Sequence, residues 1–178
     1  MRYVIAMAML IGVLAIPFST LNEAQAANQK ESIMLMELKT GTVKIKLRDD
    51  LAPNHVERIK TLIGEQFYDG IVFHRVIDGF MAQTGDPTGT GMGGSYYPDL
   101  RAEFSSEAFK RGTLGMARSQ HPDSANSQFF ICFDDSTWLN GQYTVFGEVI
   151  EGMEHIDAIA KGEPPADPDK IISLRLAD

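Results

Sequence analysis

The richest chemistry in this chain lies between Phe73 and Asp86, in the run FHRVIDGFMAQTGD. One guanidinium, Arg75, stands among aromatic and thioether side chains (Phe73, Phe80, Met81), with the imidazole of His74 and the amide of Gln83 near it in sequence. Asp78-Gly79 is a strong two-residue hairpin signal, so the run reads as two strands turned back on each other. A strand in mid-chain normally supplies core, and an arginine there asks for a use.

Most of the familiar uses are excluded by what surrounds it. Serines are plentiful, and His74 with Asp86 could complete a hydrolytic triad on paper. No serine, however, sits in a Gly-x-Ser-x-Gly elbow. His55, His74, His121 and His155 are scattered without metal-ligand spacing, so no metal site is expected. The adjacent acidic pairs, Asp49-Asp50 and Asp134-Asp135, lie in turns and read as solvated. The glycine-rich run from Gly85 to Gly94 lacks the Gly-Lys-Ser/Thr ending of a phosphate loop and reads as a folded surface loop. What remains is one cation amid Phe80, Met81, Phe130, Trp138 and Leu139, with Gln83 and Gln128 as neutral hydrogen-bonding groups. Such a set suits a reaction that makes and breaks no covalent bond. Rotation about a peptide bond to proline is that kind of reaction.

The elements that must position these groups can be read from the pattern. Ile33 to Leu38 is a strand, turned at Thr40-Gly41, and Val43, Ile45 and Leu47 then alternate with Lys44, Lys46 and Arg48. That period of two predicts a half-buried antiparallel strand with a solvated cationic face. Pro53 suits a first helical turn, and Val56, Ile59, Leu62 and Ile63 share one face of the helix that follows. His55, on its early turn, reads as a surface residue. Strands are expected at Gly112 to Arg118, Ser127 to Phe133, Val145 to Ile150 and Ile171 to Leu176, with a helix at Met153 to Ala160. The Ser127–Phe133 run is almost wholly apolar and should be buried on both faces. Short strands with two helices far apart predict one mainly-β domain, an antiparallel barrel or sandwich capped by helices.

At this point the chain resembles a known family. Phe73-His74-Arg75-Val76-Ile77-x-Gly79-Phe80-Met81-x-Gln83-x-Gly85-Asp86 is similar to the signature segment of the cyclophilins, the cyclosporin-type peptidyl-prolyl isomerases. Ser127-Gln128-Phe129-Phe130-Ile131, Trp138-Leu139-x-Gly141 and Val145-Phe146-Gly147-x-Val149 resemble the same family in the same order. The resemblance implies a closed eight-stranded antiparallel β-barrel capped by two α-helices, with no cofactor. It implies that Arg75 is the catalytic arginine and that Phe80, Met81, Phe130 and Leu139 wall a proline pocket. Gln83 would hold the substrate backbone, Ala117 and Gln128 would line the adjoining groove, and Trp138 would stand at the rim. His74 belongs to the site region without transferring protons. Two positions depart from the family pattern: Arg118 stands where much of the family has asparagine, and Tyr143 where eukaryotic members have histidine. Tyr143 can still donate to a substrate carbonyl, whereas Arg118 adds bulk and charge to the groove.

The ends and the charge complete the expectations. Met1-Arg2-Tyr3, the apolar run Val4 to Phe18 and Ala24-Gln25-Ala26 have the form of a signal peptide; the apolar run is shorter than the about 20 residues of a membrane span. Residues 1–26 therefore read as an export signal and 27–178 as the isomerase domain, periplasmic or secreted, without stable membrane insertion after cleavage. The net charge of -8 and the lack of a basic run exclude nucleic acid as a partner. A lone Cys132 leaves no internal disulfide and reads as a buried strand thiol. The expected partners are proline-containing unfolded or partly folded polypeptides and, by the resemblance, cyclosporin; nothing marks an assembly, so a monomer is expected. A non-catalytic module that merely holds proline segments is the alternative.

Overall fold

A computed structural model describes residues 31–177, so the export-signal reading of residues 1–26 lies outside the described residues. β1 (Ile33–Leu38) and β2 (Gly41–Leu47) pair as the expected hairpin. Met34, Met36 and Leu38 of β1, and Val43, Ile45 and Leu47 of β2, are buried. The cations between them are paired: Lys44 with Glu151 at 3.1 Å, Lys46 with Glu31 at 2.6 Å, and Arg48 with Asp50 at 2.8 Å.

α1 (Pro53–Gly64) starts on its proline and lacks a side-chain cap of its own. Glu103, from a distant coil segment, does that work. Its carboxylate accepts from the backbone N–H groups of Asn54 and His55, two of the donors a helix start leaves unpaired. His55 is not a surface residue: it is fully buried, with Nδ1 2.6 Å from Glu103 Oε2. The helical period places it above Ile59, on the face that packs into the core, and the approach of Glu103 gives its ring a partner.

β3 (Arg75–Ile77), β4 (Met81–Thr84), β5 (Thr113–Met116), β6 (Phe129–Cys132), β7 (Val145–Glu151) and β8 (Ser173–Leu176) complete an antiparallel sheet in the order β3-β4-β6-β5-β7-β2-β1-β8. A short α2 (Met153–Asp157) follows β7 and packs against β2; α1 packs against β8. The expectation of an eight-stranded antiparallel sheet with two helices is met, with one correction. The barrel is not closed by a continuous ladder. Among the described residues, the seam between the edge strands β3 and β8 is bridged by the isolated pairs Val72–Lys170 and Val76–Gly162 alone. The physical reason is the segment that fills this seam, which carries Pro164, Pro165 and Pro168. Prolines have no N–H to donate and cannot extend a ladder.

β6 shows why the site lies where it does. All four of its residues are buried, as its apolar sequence predicts. Alternate side chains of a strand point to opposite faces. Phe129 and Ile131 join the main core with Tyr68, Phe146 and the α1 side chains. Phe130 and Cys132 join a second, smaller cluster with Met81, Phe109, Leu139 and Val145. The sheet is thus apolar on both sides here, and the second cluster is the floor of the candidate site.

Candidate active site

The β3–β4 hairpin pairs Arg75 with Gln83, Val76 with Ala82 and Ile77 with Met81. That register makes the connection three residues long, Asp78 to Phe80, rather than the two that Asp78-Gly79 suggests, with Gly79 in the left-handed region at φ 68°. Phe80 is freed from the ladder. Its ring stands at the rim, 5.5 Å from that of Trp138, which is 58% exposed on a short 3-10 turn at Thr137–Leu139. The backbone of Phe80 stays anchored, its carbonyl accepting from Phe133 N–H at 2.8 Å.

Under these rings lies a hollow of about 360 Å³ lined by Arg75, Phe80, Met81, Gln83, Ala117, Arg118, Phe130, Trp138, Leu139 and Tyr143. Ten residues singled out from sequence therefore meet in one place. The floor requires Gly115 of β5: a Cβ there would come within 2.4 Å of the Phe130 ring and 2.6 Å of Phe109. Those two rings stack at 5.7 Å. Neither Phe109 nor Gly115 was singled out from sequence, because Phe109 comes from a coil segment whose apolar residues follow no period.

The polar side of the hollow is a connected chain. Arg75 donates through Nε to Glu163 Oε2 at 2.7 Å and, at the long limit of 3.5 Å, through Nη1 to Gln83 Oε1. Gln83 donates to Gln128 Oε1 at 2.9 Å. Gln128 in turn donates to the carbonyls of Gly91 and Gly93 at 3.0 and 2.8 Å. The glycine-rich loop beyond is organised by Asp86, which is 1% exposed. Its carboxylate accepts from the backbone N–H groups of Thr88, Thr90, Gly91 and Gly93. Burial alone would raise the Asp86 pKa; these N–H groups and the Thr88 hydroxyl outweigh it and carry it down to about 2. Sequence patterning placed a folded loop here and missed its buried anion, whose one visible signal is an aspartate opening a glycine run.

Gln128 does not line the first hollow. With Gln83, Ala117 and Arg118 it borders a second one of about 390 Å³, whose far wall is the glycine-rich loop with Asp99 and Asn126. Arg118 forms the ridge between the two. Its guanidinium lies 4.5 Å above the Tyr143 ring and donates to the carbonyls of Ser119, Gln120 and Gln142, so it is pinned along the wall that the two hollows share. His74 lines neither. It is buried behind the glycine-rich loop, both ring nitrogens without a hydrogen-bond partner, and burial holds its pKa below the ordinary histidine range.

Among the described residues, no nucleophile and no carboxylate lines the first hollow. Cys132 sits beside Met81, its partner across the β4–β6 ladder, fully buried, its thiol pushed up to about 12 by that burial. The hollow offers apolar walls, the guanidinium groups of Arg75 and Arg118, the amide of Gln83 and the phenol of Tyr143. That inventory can bind and polarise an amide, and cannot cleave one.

The sequence model of the family described as cyclophilin type peptidyl-prolyl cis-trans isomerase/CLD matches residues 33–176. This chain belongs to that family. Among its relatives is a protein of Brucella suis named a probable peptidyl-prolyl cis-trans isomerase, 51% identical over 91% of this chain and 90% of that protein. Another is the peptidyl-prolyl cis-trans isomerase-like 3 of Rattus norvegicus, 43% identical over 68% of this chain and 77% of that protein. A solved cyclophilin of Cryptosporidium parvum superposes with a TM-score of 0.78 at 29% identity, covering 84% of this chain and 99% of that one. A second structure of that protein, obtained in the presence of the dipeptide ala-pro, gives 0.76 at 31% identity, covering 82% and 99%. The cyclophilin fold and its peptidyl-prolyl isomerase activity are therefore those of this chain.

Proposed function

We propose that this cyclophilin accelerates Xaa–Pro rotation in exported, incompletely folded polypeptides, with Arg75 acting on the twisting amide and the first hollow holding the proline ring. One observation carries the reading: Arg75, tied into a polar chain, stands at the edge of a hollow walled by Phe80, Met81, Phe130 and Leu139 and, among the described residues, lined by no nucleophile.

Rotation about the bond has a barrier of about 18–20 kcal/mol because amide resonance must be lost. As the bond twists, the proline nitrogen becomes pyramidal and regains a lone pair. A guanidinium aimed at that nitrogen binds the twisted state better than either planar state, which is the condition for catalysis. Arginine suits the task because it stays charged and its planar fork can be fixed by neighbours. It does not suffice alone. An acceleration of ~10⁶ needs about 8 kcal/mol, and one charge-assisted hydrogen bond is worth roughly 1.5–3 kcal/mol. The apolar walls add to it by stripping water from the planar amide and gripping proline, while Gln83 and Tyr143 are placed to hold the flanking backbone.

Exchange spectroscopy on a Xaa-Pro peptide tests this. Arg75→Ala is expected to lower kcat/KM by roughly a hundredfold or more with the fold intact, and cyclosporin to compete with peptide at the walls of Phe80, Phe130 and Trp138. A folded Arg75→Ala protein working at the wild-type rate would sink the mechanism. Tight peptide capture without faster exchange in the wild type would favour the holding module instead. The exported location rests on the sequence of residues 1–26; N-terminal sequencing of the cell-associated protein should find a chain starting at Ala27.

A further inference from the structure

Glu163 lies outside both hollows, yet it makes the shortest hydrogen bond to Arg75, accepting from Nε at 2.7 Å. We infer that Glu163 is a positioning residue for this isomerase: it fixes the plane of the Arg75 guanidinium and so directs the free Nη2 at the substrate amide. The inference rests on the role proposed above for Arg75 and names what holds that residue in place.

The contact is built into the fold at three levels. Arg75 opens β3, an edge strand with only one laddered neighbour, β4. On its open side, Val76 and Gly162 exchange both backbone hydrogen bonds at 2.8 Å, which clamps the loop carrying Glu163 one residue away from Arg75. Gly162 has φ +148°, and a Cβ there would meet Pro165 Cα at 2.6 Å and Pro164 O at 2.8 Å, so the clamp needs glycine. The loop's far end is tied as well: Asp169 accepts from Ala160 N–H at 2.8 Å, pairs with Lys39 at 2.5 Å, and donates no freedom to the segment because its own carbonyl accepts from Phe73 N–H at 2.8 Å. Glu163 is thus delivered to Arg75 by backbone, not by a wandering side chain.

The chemistry follows from the shape of the guanidinium. It is planar, with five N–H donors in fixed directions. Nε is held by Glu163 and one Nη1 hydrogen reaches towards Gln83, so two anchors set the orientation of a planar group that would otherwise rotate about its stem. Nη2 is left without a protein partner among the described residues. Both partners of the pair are about half exposed, at 42% and 53%, so the ion pair adds little to folding stability and its effect is geometric.

The experiment separates this from the role of Arg75 itself. In the full chain, Glu163→Ala is expected to lower kcat by roughly ten- to hundredfold with KM within about twofold, because misplacement by an ångström costs that much in rate and little in ground-state binding. Glu163→Gln, which keeps an acceptor oxygen, should recover most of the loss. In Arg75→Ala, adding Glu163→Ala should cause no further decrease. The Arg75 Nε–H resonance should exchange slowly with solvent in the wild type and in Glu163→Gln, and fast in Glu163→Ala. Wild-type kcat in Glu163→Ala, beside an inactive Arg75→Ala, would overturn the positioning role alone. An additive loss in the double variant, or an unchanged Nε–H signal in Glu163→Ala, would do the same. Wild-type activity in Arg75→Ala would instead overturn the reading on which it rests.

Discussion

Arg75 and Asp86 are both charged residues on the same stretch, and the structure uses them in opposite ways. Arg75 keeps part of its surface at the hollow, whereas Asp86 is buried and spent on four backbone N–H groups. Asp86→Ala strands those donors and should cost about 2–4 kcal/mol in urea unfolding. The pH dependence has a definite sign. The folded pKa, about 2, lies below the value near 3.8 of a free aspartate, so the native state favours the carboxylate. The stabilisation is complete above roughly pH 4, is lost as pH falls through the folded pKa, and amounts to about 2 kcal/mol. Asp86→Asn should therefore flatten the stability profile between about pH 4 and pH 2, and an unchanged slope would assign the acid sensitivity to other groups. Legibility at this scale followed chemistry. Arg75, Phe80, Met81 and Gln83 drew attention because an arginine among aromatics is incongruous in a strand, and the resemblance supplied the roles proposed for them. Glu163 was not, since a glutamate in a proline-rich loop looks solvated until the Val76–Gly162 clamp sets it beside Arg75.

At the scale of the elements, the alternation in β2 and the wholly apolar β6 told which faces are buried, and the structure follows them. Boundaries moved inward: β5 keeps only Thr113–Met116 of the expected Gly112–Arg118, and α2 stops at Asp157. What no period could show is the contact between a coil and a strand, Phe109 on Phe130 across Gly115. That contact supplies a prediction for β5. Gly115→Ala forces a methyl into a space bounded at 2.4 Å by Phe130, and overpacking of this kind costs about 1–3 kcal/mol. Because the displaced ring is a wall of the first hollow, KM for a proline peptide should rise as well. A Tm lowered by several degrees with peptide affinity unchanged would show that Phe130 can shift without disturbing the hollow. His55 is the counterpart on α1, where the helical period itself pointed inward but residue type argued for the surface.

For the molecule as a whole, the open seam between β3 and β8 leaves β8 with one laddered neighbour, β1. Met34 faces Leu176 and Met36 faces Leu174 in that ladder, a pairing of residues about 140 positions apart. Removing residues 172–178 should leave β1 with an unpaired edge and α1 with an uncovered face, and the truncated chain should show no cooperative thermal transition; a sharp transition near the wild-type Tm would refute this. The pairing also imposes an order in time. Loop-closure entropy makes such a contact slow to form, and a chain emerging vectorially cannot form it until β8 has emerged. The strand that waits is β1, an edge until β8, well over a hundred residues later in the chain, pairs with it. A catalyst of proline rotation built this way must itself wait to be completed, its apolar β1–β2 hairpin exposed on one side until β8 arrives.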